Sequence, residues 1–168
     1  MCFYSRQSKS AIELQNRFNA TFENGNQYSP SDYNGFQFPE TPIIANTDSS
    51  KIQLYHWGLI PNRAKDNSIR KYTLNARIET IKEKPSFRDS VTRRCLVLVD
   101  GFYEWREKIT GDTVKTYTIL TTEANELMSI IHNKEKRMPV ILTKNNELDW
   151  LNGKEINNIE IELKATAI

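Results

Sequence analysis

The run Cys95-Leu96-Val97-Leu98-Val99 constrains the fold more than any other stretch of the chain. It is five apolar residues in succession, bounded by Arg93-Arg94 before it and Asp100-Gly101 after it. Five residues suit a strand rather than a helix, and a continuous rather than alternating apolar pattern is that of a strand covered on both faces. Beyond the Asp100-Gly101 break the pattern changes. In Phe102-Tyr103-Glu104-Trp105 the alternation sets Phe102 and Glu104 on one face and Tyr103 and Trp105 on the other.

The other elements are short and numerous. Ser10 is placed to cap a helix over Ser10 to Phe22, with Ala11, Leu14, Phe18 and Phe22 on its apolar face. Glu23 to Pro42 reads as a long loop pinned by Tyr28, Tyr33, Phe36 and Phe38. Ile43-Ala45 and Ile52-Ile60 read as a hairpin turning at Asp48-Ser50. Leu74 to Thr80 reads as a short helical or turn segment, and Pro85 as the first residue of a helix over Ser86 to Val91. Val114 to Thr121 alternates as a strand, and Thr122 is placed to cap a helix that ends at His132. A strand over Met138 to Leu142, a helix over Asn146 to Asn152 and a last alternating strand over Ile159 to Leu163 complete the chain. With 168 residues and 38% hydrophobic content, the chain fits one domain over 1–168. The fold class expected is α+β, a mostly antiparallel, barrel-like sheet with peripheral helices.

Two cysteines, Cys2 and Cys95, are too few for a disulfide framework, and neither sits in a zinc-like cluster with histidine. No metal and no cofactor is therefore expected, and a reducing cytoplasm is the expected compartment. No apolar stretch reaches the length of a membrane span. The net charge of +2 is too small to establish nucleic-acid binding, but Arg63, Lys65, Arg70, Lys71 and Arg77 fall close together. Cys2 has a distinct chemistry available to it. If Met1 is removed, Cys2 carries an α-amine and a thiol on adjacent carbons, a 1,2-aminothiol able to close an aldehyde into a thiazolidine. Taken alone, Cys2 reads better as a small buried hydrophobe and His132 as a cation at a helix end, Glu104 is equally a surface carboxylate, and Asn75 is an ordinary helix cap.

Five stretches in order change that balance: Met1-Cys2, Trp57-Gly58-Leu59-Ile60-Pro61, Asn75-Ala76-Arg77-Ile78-Glu79-Thr80, Arg94-Cys95 through Asp100-Gly101-Phe102-Tyr103-Glu104-Trp105, and His132 with Arg137-Met138-Pro139-Val140-Ile141-Leu142. Together they resemble the SOS response-associated peptidase family, whose shared unit is the SRAP domain. The resemblance implies a sensor of abasic sites in single-stranded DNA that links itself to the lesion through the mature N-terminal cysteine. Carried onto this chain, Cys2 is the nucleophile and Asn75 holds the N-terminal amine and the sugar. Glu104 is the general acid/base and His132 assists sugar ring opening. Arg77 and Arg137 resemble phosphate contacts, and Trp57 resembles a residue lining the DNA face, exposed for base stacking. The connection from Trp105 to Val114 is shorter than the family's usual one, and the spacing from His132 to Arg137 is longer.

The resulting expectation is a monomer that captures abasic sites in the DNA damage response, nucleoid-associated when bound. Two rivals stand beside it. In one, Cys2 acts as a peptidase, with self-removal of Met1 as the simplest case. In the other, the domain grips single-stranded DNA without chemistry.

Overall fold

In the computed structural model the described residues are 2–103, 116–132, 135–156 and 161–163. Eleven short strands and three helices lie in these ranges: β1 (Tyr4–Gln7), α1 (Ala11–Phe18), β2 (Thr21–Phe22), β3 (Ser31–Asn34), β4 (Glu40–Ala45), β5 (Lys51–Trp57), β6 (Asn75–Arg77), β7 (Cys95–Val97), β8 (Gly101–Tyr103), β9 (Thr116–Tyr117), β10 (Ile119–Glu123), α2 (Glu126–Ile131), β11 (Arg137–Pro139) and α3 (Glu147–Leu151). They form three sheets: β3-β1-β8, β11-β10-β6, and β2-β5-β4-β7 with β9 also on β5. The architecture is α+β. Antiparallel pairs predominate, and parallel pairing joins β6 to β10, β2 to β5 and β9 to β5. Among the described residues the strands form three sheets and none closes on itself.

The run at Cys95 does separate two packed layers. Leu96 and Leu98 face a core with Leu14, Ala20, Phe22, Ile44, Ile52 and Leu151. Cys95 and Val97 pack on the other side against Cys2, Phe38, Ile43, Trp57, Leu74 and Tyr117. Strand β4 lies between β5 and β7 although it contains Pro42, which has no N–H to give. Leu98 N–H donates to the Pro42 carbonyl at 2.9 Å. The reciprocal bond cannot form, and Gln7 Nε2 takes its place by donating to the Leu98 carbonyl at 2.8 Å.

Several expected elements are corrected by tertiary pairing. Helix α1 has its cap at Ser10, whose side chain and that of Glu13 form a reciprocal capping box, but it stops at Phe18 because Asn19 turns left-handed. Phe22 belongs to β2. The loop after Glu23 contains β3, paired with β1 from Tyr4↔Asn34 to Gln7↔Ser31. Asn75–Arg77 is a strand, and Arg88–Ser90 is a 3₁₀ turn rather than a helix starting at Pro85. The cap of α2 is Asn125, whose side chain accepts from Met128 N–H, while Thr122 lies within β10. The connection from Arg106 to Val114 and the start of the strand expected at Ile159 lie outside the described residues; residues 161–163 are not a strand.

Candidate functional site

Cys2 lies just before β1, in the layer formed by Phe38, Ile43, Ala45, Trp57, Leu74 and Tyr117, and is only 3% exposed. The neighbouring Phe3 carbonyl accepts from Gly35 N–H at 2.8 Å. Glycine lets the two segments pass closely, since a Cβ at Gly35 would stand 3.2 Å from both the Phe3 carbonyl oxygen and the Trp57 ring. Cys2 Sγ donates to the Tyr4 carbonyl at 3.5 Å.

Asn75 reaches the N-terminus directly. Its Nδ2 donates to the Cys2 carbonyl at 2.7 Å, while its Oδ1 is buried and accepts nothing from the described residues. The side chain is thus anchored at one end and carries an unused acceptor at the other. An orphaned buried amide oxygen is costly unless something donates to it.

Trp57 explains why Asn75 stands there. Its Nε1 donates to the Leu74 carbonyl at 2.9 Å, fixing the residue ahead of Asn75. Its ring stacks with Tyr117 at 6.2 Å between centroids. Trp57 is 0% exposed, so the expected base-stacking role is corrected: the indole is a core residue that positions β6. Gly58 follows with φ +105, a conformation suited to glycine, and its N–H donates to the Tyr117 carbonyl at 2.8 Å. The Trp57-Gly58 and Asn75-Ala76-Arg77 stretches therefore act as one structural unit.

Arg77 is exposed at the end of β6. Arg137 is not. It is 8% exposed, and its guanidinium grips Glu79 in two bonds, Nη1 to Oε1 at 3.0 Å and Nη2 to Oε2 at 2.9 Å, with Nη2 also donating to the Thr121 carbonyl at 2.6 Å. The residue expected as a phosphate contact thus carries its charge beside the Glu79 carboxylate, in a fork-to-fork pair. The Arg137 guanidinium beside Glu79 in turn holds that carboxyl below its usual range.

His132 closes the C-terminal end of α2. Its Nδ1 lies 3.2 Å from the Arg137 carbonyl oxygen and 3.3 Å from the Arg137 N–H, so the backbone of Arg137 occupies that nitrogen in either tautomer. Proton transfer by this ring would run through Nε2. Cys2, Phe102, Thr118 and His132 line one continuous cleft. Glu104 lies outside the described residues, one position beyond the end of β8.

Two residues packed or paired near these side chains, Tyr117 and Glu79, are not singled out in the sequence expectation. Tyr117 packs in the Cys2 layer and its hydroxyl accepts from Thr41 Oγ1 at 2.8 Å, with burial raising its pKa well above the ordinary phenol value. The alternation of residues 114–121 was the available signal for its burial. Glu79 stands within the Asn75 to Thr80 stretch, and its pairing with an arginine far along the chain leaves no local trace. Burial pushes the Cys95 thiol up to about 12. Among the described residues no group of histidine, cysteine and carboxylate side chains could hold a metal ion, and no helix is long and apolar enough to cross a membrane.

Comparison with known proteins bears on this geometry. The family model described as SOS response associated peptidase (SRAP) matches residues 1–112 and 106–166. Abasic site processing protein YoqW of Bacillus subtilis is 40% identical over 142 residues, covering 67% of this chain and 62% of the relative. Abasic site processing protein HMCES of Gallus gallus is 27% identical over 192 residues, covering 77% of this chain and 56% of that protein. The match thus spans about three fifths of the length of these relatives. A crystal structure of a protein from Bacteroides thetaiotaomicron superposes with a TM-score of 0.79 at 32% identity, covering 90% of this chain and 81% of that one.

Proposed function

From the premise that this chain belongs to the SOS response-associated peptidase (SRAP) family, we propose that it processes abasic sites by covalent capture of single-stranded DNA through Cys2. The observation that carries the reading is the Asn75 side chain, tied to the Cys2 carbonyl through Nδ2 with its buried Oδ1 left to accept. An α-amine on Cys2, present once Met1 is removed, is the donor that this oxygen suits. The printed names of the relatives, abasic site processing proteins, supply the substrate class.

The chemistry balances without an outside reagent. The amine adds to the aldehyde of the ring-opened sugar and one water leaves, giving a Schiff base. The thiol then adds across the C=N bond, and its proton passes to nitrogen. One C–N bond and one C–S bond form in all. In this reading His132 assists ring opening through Nε2, Glu104 moves protons between amine, hydroxyl and sulfur, and Arg77 holds a phosphate. Trp57 acts through Asn75 as a positioning residue. Arg137 braces Glu79 and β10.

Intact mass tests the proposal against the peptidase reading. Protein with a confirmed Cys2 terminus, mixed with a strand carrying one abasic site, should give a species equal to protein plus DNA minus one water. A variant whose N-terminus is blocked by a residue that cannot be removed should give none. Adduct from the blocked variant would overturn the thiazolidine route.

A further inference from the structure

We infer that Glu79 is a positioning residue for His132, acting through the guanidinium and backbone of Arg137. The inference rests on the proposed capture chemistry, in which His132 assists ring opening, and adds what aims that ring. The chain itself aims it poorly. Asn133, Lys134, Glu135 and Lys136 separate His132 from Arg137, and helix α2, which His132 ends, fully buries none of its side chains. Ile130 and Ile131 at its end face solvent. What holds the ring is the backbone of Arg137, whose carbonyl and N–H both meet His132 Nδ1, at 3.2 and 3.3 Å. Lys136 closes the connection with a left-handed φ of 48°, its N–H donating to the His132 carbonyl at 3.0 Å. The direction of the imidazole therefore depends on where Arg137 sits.

Arg137 is placed from across the sheet. In the order β11-β10-β6, Arg137 opens one outer strand and Glu79 follows the other, with about 10 Å between those two strands. The Glu79 carboxylate takes both Nη atoms, at 3.0 and 2.9 Å. On the middle strand, the Thr121 carbonyl accepts from Ile78 N–H at 3.1 Å and from Arg137 Nη2 at 2.6 Å. One carbonyl thus ties the residue ahead of Glu79 to the guanidinium that Glu79 grips. The same run carries Asn75, which donates to the Cys2 carbonyl at 2.7 Å. The fork therefore fixes the spacing between Asn75 and His132, two side chains that in this reading serve one sugar.

Stability alone is a weak account of the pair. The Glu79 side chain is 44% exposed, so solvent screens its attraction for Arg137. Arg137 is buried, and its Nε has no hydrogen-bond partner among the described residues. Burying a guanidinium with an unmet donor is costly, and a planar fork on a carboxylate supplies geometry more than stability.

The test uses the full chain, whose two histidines, His56 and His132, give a built-in comparison. In heteronuclear NMR spectra of the imidazoles, Glu79→Gln should shift and broaden the His132 ring signals and leave those of His56, held at the Phe38 carbonyl, in place. Arg137→Lys, which keeps the charge but not the fork, should do the same. In single-turnover capture at saturating concentration of a strand with one abasic site, Glu79→Gln should slow adduct formation about tenfold. The strand concentration giving half the maximal rate should stay near the wild-type value. In His132→Ala protein, the same Glu79→Gln change should alter the rate less than about twofold, since no ring is left to aim. Unmoved His132 signals in both variants, or equal slowing with and without His132, would overturn the positioning role. Wild-type protein that forms no adduct would instead overturn covalent capture, and the imidazole spectra would still decide whether Glu79 aims His132.

Discussion

Trp57 and Tyr72 are two aromatics at either end of one loop, and they meet opposite environments. Trp57 belongs to a recognisable sequence pattern and is fully enclosed, with its indole N–H spent on Leu74. Tyr72 belongs to no pattern singled out in the sequence and stands in water beside Lys71. The contrast teaches that a patterned residue near a site can serve it from behind. The inner ring is held by partners within the fold, and the outer ring faces solvent. Substitutions at the two positions should therefore differ widely in their cost to stability.

The largest effect is expected at Trp57. Trp57→Ala removes a buried ring and should cost about 3–5 kcal/mol of unfolding free energy, read by chemical denaturation. Tyr72→Ala should stay within about 0.5 kcal/mol of wild type in the same measurement. Equal costs at the two positions would break the comparison. Next comes Gln7→Leu, which leaves the Leu98 carbonyl opposite Pro42 without a donor and should cost about 1–3 kcal/mol. No loss there would mean that the Gln7 bond does not replace the missing proline N–H.

Glu79→Gln should have a smaller effect that depends on pH. The Glu79 carboxyl lies below its ordinary value of 4.5 because of Arg137, so its contribution is present above pH 4.5 and is lost as pH falls through the depressed value. Because the Glu79 side chain is 44% exposed, solvent screening holds that contribution to about 1 kcal/mol. Stability curves of wild type and Glu79→Gln should differ at pH 7 and converge toward pH 3. A constant gap across that range would remove the ion pair as its cause. Ser10→Ala, far from both regions, should cost about 1 kcal/mol through loss of the capping box.

What could be read from sequence follows from how local each cause is. The strand at Cys95 and the cap at Ser10 were legible because an apolar run and a capping box are written in adjacent residues. Strand β6 was not, since Asn75-Ala76-Arg77 becomes extended by pairing with Ile119-Leu120-Thr121 in β10. The end of α1 depended on a left-handed Asn19, and the true cap of α2 on Asn125 rather than the equally suitable Thr122. In the site, Cys2 and Asn75 were named from their motifs, and the structure brings them together at 2.7 Å. Exposure was the quantity the motifs did not carry. Trp57 and Arg137 were both expected at the DNA face, and both are turned inward by partners distant in sequence, Leu74 and Glu79.

The rate of covalent capture tests the central claim most directly. Wild-type protein, Cys2→Ala and Asn75→Ala would each be incubated with a single strand carrying one abasic site and followed on denaturing gels, with the N-terminus of each verified by mass. The account predicts a denaturation-resistant product with wild type, none with Cys2→Ala, and formation slowed at least about tenfold with Asn75→Ala, as for loss of one positioned hydrogen-bonding group. Folded wild-type protein with a free Cys2 amine that yields no product, or Asn75→Ala capturing at the wild-type rate, would contradict it.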